Sequence, residues 1–191
     1  MSYNRITKDN FTKLKQLFKC ANKRFLERNK SLFSDDVSER CLCGALMIEL
    51  YKELLASNFK GYYVDLEYNR SQEGKVKTII NDEFKVIKIN CDLVIHARGE
   101  VGEQENLLAL EMKKSYRDSG DKDQDRERLI CLTKIPYRDV WSDDGQVHPE
   151  HVCGYIIGVY YEVDKDNDSI SIEYYHCGAL INKEKLQIGN L

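Results

Sequence analysis

Apolar residues recur at three- and four-residue steps from about Asn10 to Arg28, at Phe11, Leu14, Leu17, Phe18, Ala21, Phe25 and Leu26. That is the helical period, so the segment predicts an amphipathic helix whose other face carries lysines and arginines. A second helix is predicted after the N-cap candidates between Ser34 and Ser38. It runs to about Ser57, with Leu42, Ala45, Leu46, Leu50 and Leu54 as its buried stripe. Glu39 lies three residues before Leu42 and seven before Leu46, in phase with that stripe. Either its carboxylate reaches water at the first turn, where the helix dipole favours it, or it points into a polar site.

The period then drops to two. Tyr62 to Tyr68 alternates, with Val64, Leu66 and Tyr68 on one side, and reads as a strand. After the turn-rich Asn69 to Lys75, Phe84 to Arg98 forms a second strand region. Ile89, Cys91, Leu93, Ile95 and Ala97 share one face of it; Asn90, Asp92, Val94, His96 and Arg98 share the other. Leu107 to Lys114 is the third strand, with Leu108, Leu110 and Met112 opposite Leu107, Ala109, Glu111 and Lys113. Asp121 to Lys134 predicts a helix. Tyr155 to Tyr161 is apolar on both faces, as a central strand would be. The polar turn Asp164 to Asp168 joins it to a partner over Ser169 to Tyr175, a hairpin. The order α-α-β-β-β-α-β-β predicts an α/β fold, a mixed central sheet flanked by helices.

Composition narrows the class. The 191 residues fit one domain with a terminal extension, divided at 1–33 and 34–191. No apolar run reaches the ~20 residues of a membrane span, and the N-terminus lacks the apolar block of a signal peptide, so a cytoplasmic protein without membrane contact is expected. Seven cysteines, an odd number with no Cys-x-x-Cys pair, argue against a disulfide framework and a zinc knuckle. Net charge is −3, yet Lys8 to Lys30 holds eight basic residues against Asp9 and Glu27. Lys13, Lys15, Lys19, Lys23 and Arg24 are therefore candidate nucleic-acid contacts, beside the reading of a solvated face on a packing helix.

The candidate chemistry lies on the second and third strands. Adjacent strands bring Asp92 within reach of Glu111 and Lys113, which share a face because the strand period is two. Carboxylate oxygens suit Mg²⁺ or Mn²⁺. Such an ion neutralises phosphate charge and lowers the pKa of a bound water, and a lysine beside it can stabilise developing negative charge. The competing reading is an ordinary charged strand face. Against it, Leu107-Leu108-Ala109-Leu110 runs straight into the pair, and charges at the end of a buried strand need partners or metal.

These residues resemble the PD-(D/E)xK nuclease superfamily, the restriction-endonuclease-like fold. The motif stands as Cys91-Asp92, eighteen intervening residues, then Glu111-Met112-Lys113, with Cys91 where the family has proline. The αβββαβ core of that family matches the order from about Ser34 to Val163. The resemblance implies Asp92 and Glu111 as metal ligands, the Met112 backbone carbonyl as a third, Lys113 as the catalytic lysine, and Glu39 as a supporting carboxylate near the metal. It implies an endonuclease hydrolysing phosphodiester bonds, in DNA, with Mg²⁺ or Mn²⁺ as cofactor. Arg98, with His96 on the face of Asp92, is a candidate phosphate contact or else an ion-pair partner behind the site, and Lys114 joins the nucleic-acid contacts. The alternatives are an RNA-directed nuclease and a non-catalytic binding or regulatory protein on the same fold. His148-Pro149-Glu150-His151 reads as a surface loop rather than a metal site. Ile135 to Val152, with Trp141, is long enough for a recognition or homodimer element. No Walker-type loop and no Gly-x-Ser-x-Gly elbow occurs.

Overall fold

The computed structural model describes residues 3–68, 78–80, 86–88, 91–100, 104–135 and 153–190. Helix α1 spans Tyr3–Arg28, starting ahead of the apolar pattern, and buries Leu14, Leu17, Phe18, Ala21, Phe25 and Leu26. A short helix that the periodicity did not reveal, α2 (Lys30–Ser34), turns the chain and sets Phe33 against Phe25, ring centroids 5.4 Å apart. Helix α3 covers Glu39–Ala56. Of its cap candidates the last is used: the Ser38 hydroxyl accepts from the Cys41 N–H at 3.2 Å. Leu42, Leu46, Leu50 and Leu54 are buried as the spacing predicts.

The strands are β1 (Tyr63–Leu66), β2 (Thr78–Ile80), β3 (Val86–Lys88), β4 (Leu93–His96), β5 (Asn106–Lys114), β6 (Ile157–Asp164), β7 (Ser169–His176) and β8 (Ala179–Gln187). Six of them form a mixed sheet in the order β1-β4-β5-β6-β7-β8, while β2 and β3 pair separately. Every neighbouring pair is antiparallel except β5 with β6, which is parallel. A parallel pair needs a crossover between its strands, and helix α4 (Ser119–Leu132) lies in that connection.

Two expectations about the strands are corrected. Phe84 to Arg98 is not one strand region: β3 pairs with β2, and β4 pairs with β1 and β5. Alternation assigns faces but not partners, so it could not separate them. The break also moves Cys91. Asp92 sits in a bend ahead of β4, and Cys91 packs with Val94 and Ala109 instead of sharing the side of Leu93 and Ile95. The closing hairpin gains a third strand, β8, an edge strand whose residues are mostly exposed. A strand that buries neither face carries no hydrophobic alternation to read.

Apolar clusters cover both faces of the sheet. On one, α1 and α3 pack against Leu93, Ile95, Leu108, Leu110, Met112, Val159 and Tyr161. Helix α1 shares this core, and its Asn22 accepts a buried hydrogen bond from the Tyr161 hydroxyl at 2.8 Å. On the other, Leu129 and Leu132 of α4 pack with Cys91, Val94, Ala109, Tyr155, Tyr160 and Tyr175. Gly158 lets α4 approach β6: a Cβ there would lie 3.1 Å from Thr133 and 3.4 Å from Leu129. All seven cysteines are free. Among the described residues no helix is long and apolar enough to cross a membrane.

Candidate active site

The antiparallel register Leu93↔Leu110 brings the bend before β4 beside the second half of β5. There the Met112 N–H donates to Asp92 Oδ2 at 2.7 Å. Glu111 and Lys113 point to the opposite face from Met112, toward α4, because side chains alternate along the strand. Arg128 of α4 donates from one nitrogen, Nη1, to Glu111 Oε1 at 2.5 Å and to Asp125 Oδ1 at 2.9 Å. The other oxygen of Asp125 lies 3.0 Å from Lys113 Nζ. Asp125 thus joins the lysine of the strand to the arginine of its own helix.

Burial dominates the electrostatics. Glu111 is 1% exposed. Burial, with the charges of Asp92 and Asp125, pushes its carboxyl up to about 8 against the pull of Arg128. Burial also raises Asp92; Asp125 and Glu39 push the same way, while the Met112 N–H and Lys113 pull it down. For Lys113, burial works against the ammonium but is outweighed by the Asp125 hydrogen bond and the surrounding carboxylates, so it is held above its usual range. Cys91 and Cys43 border the site, and burial drives both thiols up, away from thiolate chemistry.

Glu39 is positioned differently from the others. From the first turn of α3 its Oε1 accepts from the Lys114 N–H at 2.9 Å and from Arg117 Nε at 3.0 Å, and its Oε2 from Arg117 Nη2 at 3.3 Å. It therefore clamps α3 to the end of β5, with its charge still felt at Asp92. Lys114, expected to contact nucleic acid, is 6% exposed, and its ammonium donates to the Asp36 carbonyl at 3.0 Å and carboxylate at 2.6 Å. Arg98 is held by the Asp65 carboxylate, which also meets His96 Nε2 at 2.9 Å, and stacks on the Tyr63 ring. In α1, Lys15 and Lys19 reach Glu184 of β8, and Arg24 pairs with Glu53 of α3. Lys13 and Lys23 pair within the helix, with Asp9 and Glu27. The His148 to His151 segment and Trp141 lie outside the described residues.

Among the described residues no three His, Cys, Asp or Glu side chains converge as a metal-holding group. Glu39 is engaged by Arg117, and Glu111 by Arg128. The donor chemistry of Asp92 and Glu111 nevertheless fits a hard divalent cation. They are two largely desolvated carboxylates, and the charge of Asp92 raises Glu111. A shared cation relieves that repulsion.

Asp125, Arg128 and Arg117 were not among the residues singled out from the sequence. Asp125 had a signal. It lies four residues before Leu129 and seven before Leu132, the same phase relation that marked Glu39. Arg117 falls in the turn after β5, where no periodicity applies. Searches of family models, curated proteins and solved structures found no match.

Proposed function

We propose that the chain is a divalent-metal-dependent nuclease of the PD-(D/E)xK type, hydrolysing phosphodiester bonds, with DNA as the first substrate to test. With the separate β2–β3 pair as an insertion after β1, the order α3, β1, β4, β5, α4, β6, with β5 parallel to β6, supports a restriction-endonuclease-like core. The observation that carries the reading is the gathering of Asp92, Glu111 and Lys113 at one end of the β4–β5 pair, with burial holding both carboxyls up. Carboxyls perturbed by burial and by neighbouring charges cluster at functional sites.

Asp92 and Glu111 would hold the ion, with the Met112 carbonyl added by the resemblance. When bound, the ion supplies charge neutralisation at the phosphate and acidifies the attacking water. Lys113 remains cationic and offers its ammonium to developing negative charge. Asp125 pairs with that ammonium at 3.0 Å, so the charge is held at the site before substrate arrives. Glu39 holds α3 against the strand that carries Glu111 and Lys113.

One observation favours a second reading, a non-catalytic nucleic-acid-binding protein on the same architecture. Arg128 and Arg117 already satisfy the carboxylates of Glu111 and Glu39. Incubating the purified chain with single- and double-stranded DNA and RNA, with Mg²⁺ or Mn²⁺, separates the two. Cleavage is expected, reduced ~10²–10³-fold in Lys113→Ala, the usual effect of losing one preorganised charge-stabilising group. Binding without cleavage under either metal would establish the second reading instead.

A further inference from the structure

The bonding of Arg128 is unusual for a structural arginine. A single nitrogen, Nη1, is divided between Glu111 at 2.5 Å and Asp125 at 2.9 Å. Its Nε is buried with no hydrogen-bond partner among the described residues, so the guanidinium is not fully satisfied where it rests. Glu111 is enclosed, and the carboxylates nearest to it in charge, Asp92 and Asp125, repel it. Arg128 is the cation that sits directly against Glu111.

We propose that Arg128 is a resident counter-ion that closes the site: it holds Glu111 until a divalent cation takes that carboxylate over, and Asp125 then retains the guanidinium. The inference rests on the metal-site reading above. The transfer is local. Arg128 gives up one of two charge-assisted hydrogen bonds and keeps the other to Asp125, and any proton that burial keeps on Glu111 is released to solvent as the cation binds. A different role would look similar in a static picture: a donor that merely orients Glu111 toward the ion, as outer partners of metal ligands do. The two roles act on metal affinity with opposite sign. A competitor weakens binding by its presence, and an orienting group strengthens it.

The test measures Mn²⁺ binding by titration calorimetry, and the Mn²⁺-induced rise in melting temperature, on the metal-free full chain. Wild type, Arg128→Gln, Arg128→Met and Glu111→Gln are compared. Removing the charge at position 128 is expected to tighten Mn²⁺ binding by about tenfold, the scale of one charge-assisted hydrogen bond that the metal no longer has to displace, and to enlarge the thermal shift. Glu111→Gln is expected to bind more weakly than wild type. Arg128→Gln keeps a hydrogen-bond donor without the charge, and carries the comparison if the methionine variant does not fold. Equal or weaker binding by the Arg128 variants, with binding still weakened in Glu111→Gln, overturns the counter-ion role and leaves the metal site standing. Absence of Mn²⁺ binding in all four proteins overturns both.

Discussion

At Glu111 the physical conflict in the site is sharpest. A carboxyl in contact with an arginine would ordinarily ionise easily, yet burial, with Asp92 and Asp125, carries this one up to about 8 from an ordinary 4.5. The consequence for stability has a definite sign. Between those two values the folded chain holds a proton on Glu111 that the unfolded chain has released. Stability is therefore fully retained below 4.5 and is lost as pH rises toward about 8. Denaturant melts of wild type across that range should show stability falling with pH, and Glu111→Gln should flatten the fall, since its amide never ionises. Parallel slopes in the two proteins would show that burial at this position is lighter than its surroundings imply. Lys113 is bound into the same arrangement from the other side. Its charge is secured by Asp125 rather than by solvent, so its orientation depends on a helix residue twelve positions later in the chain.

That dependence makes the seating of α4 on the sheet an element-scale requirement. Asp125 and Arg128 reach β5 from a helix whose C-terminal end packs over β6, where Gly158 leaves room for it. A methyl group there would meet Thr133 at 3.1 Å, Tyr175 at 3.2 Å and Leu129 at 3.4 Å. Gly158→Ala should cost about 1–3 kcal/mol, the usual effect of overpacking a filled core, read as a lower unfolding midpoint. Unchanged stability would mean that α4 can lift at no cost. How much of this was legible in the sequence varied with burial. Helix α3 buries one stripe, so the 3.6 period is written into its residues, while β5 and β6, buried on both faces, stand out as apolar runs. Strand β8 buries almost nothing and was invisible for that reason. Asp92, Glu111 and Lys113 stood out as charges against strongly apolar neighbours. Arg128, which holds Glu111, did not, because it comes from another segment and pairing across the fold leaves no trace in local spacing. Glu39 shows the limit of the phase argument. It left open whether the carboxylate reaches water or a polar site, and could not foresee the clamp that Arg117 and the Lys114 N–H make with it.

For the molecule as a whole, the question is how a chain of net charge −3 would attract a polyanion. The cationic residues of α1 divide into two kinds. Lys15 lies 3.0 Å from Glu184 and over the Tyr174 ring at 4.2 Å, which ties α1 to the far edge of the sheet. Lys13 and Lys23 only pair with acids four residues away along the same helix, at 2.6 and 3.8 Å, on largely exposed side chains. Exposed pairs of that kind contribute about 0.3–0.5 kcal/mol, so either lysine can turn to a phosphate at small cost. Lys15 cannot do so without loosening the packing of α1 on β8. Measured as affinity for duplex DNA against salt, the double variant Lys13→Gln, Lys23→Gln should show a slope shallower by ~0.9 for each phosphate that is no longer neutralised. Lys15→Gln should leave the slope unchanged and lower the melting temperature instead. If the double variant keeps the wild-type slope, DNA does not lie along α1, and that helix serves only to complete the core it shares with α3.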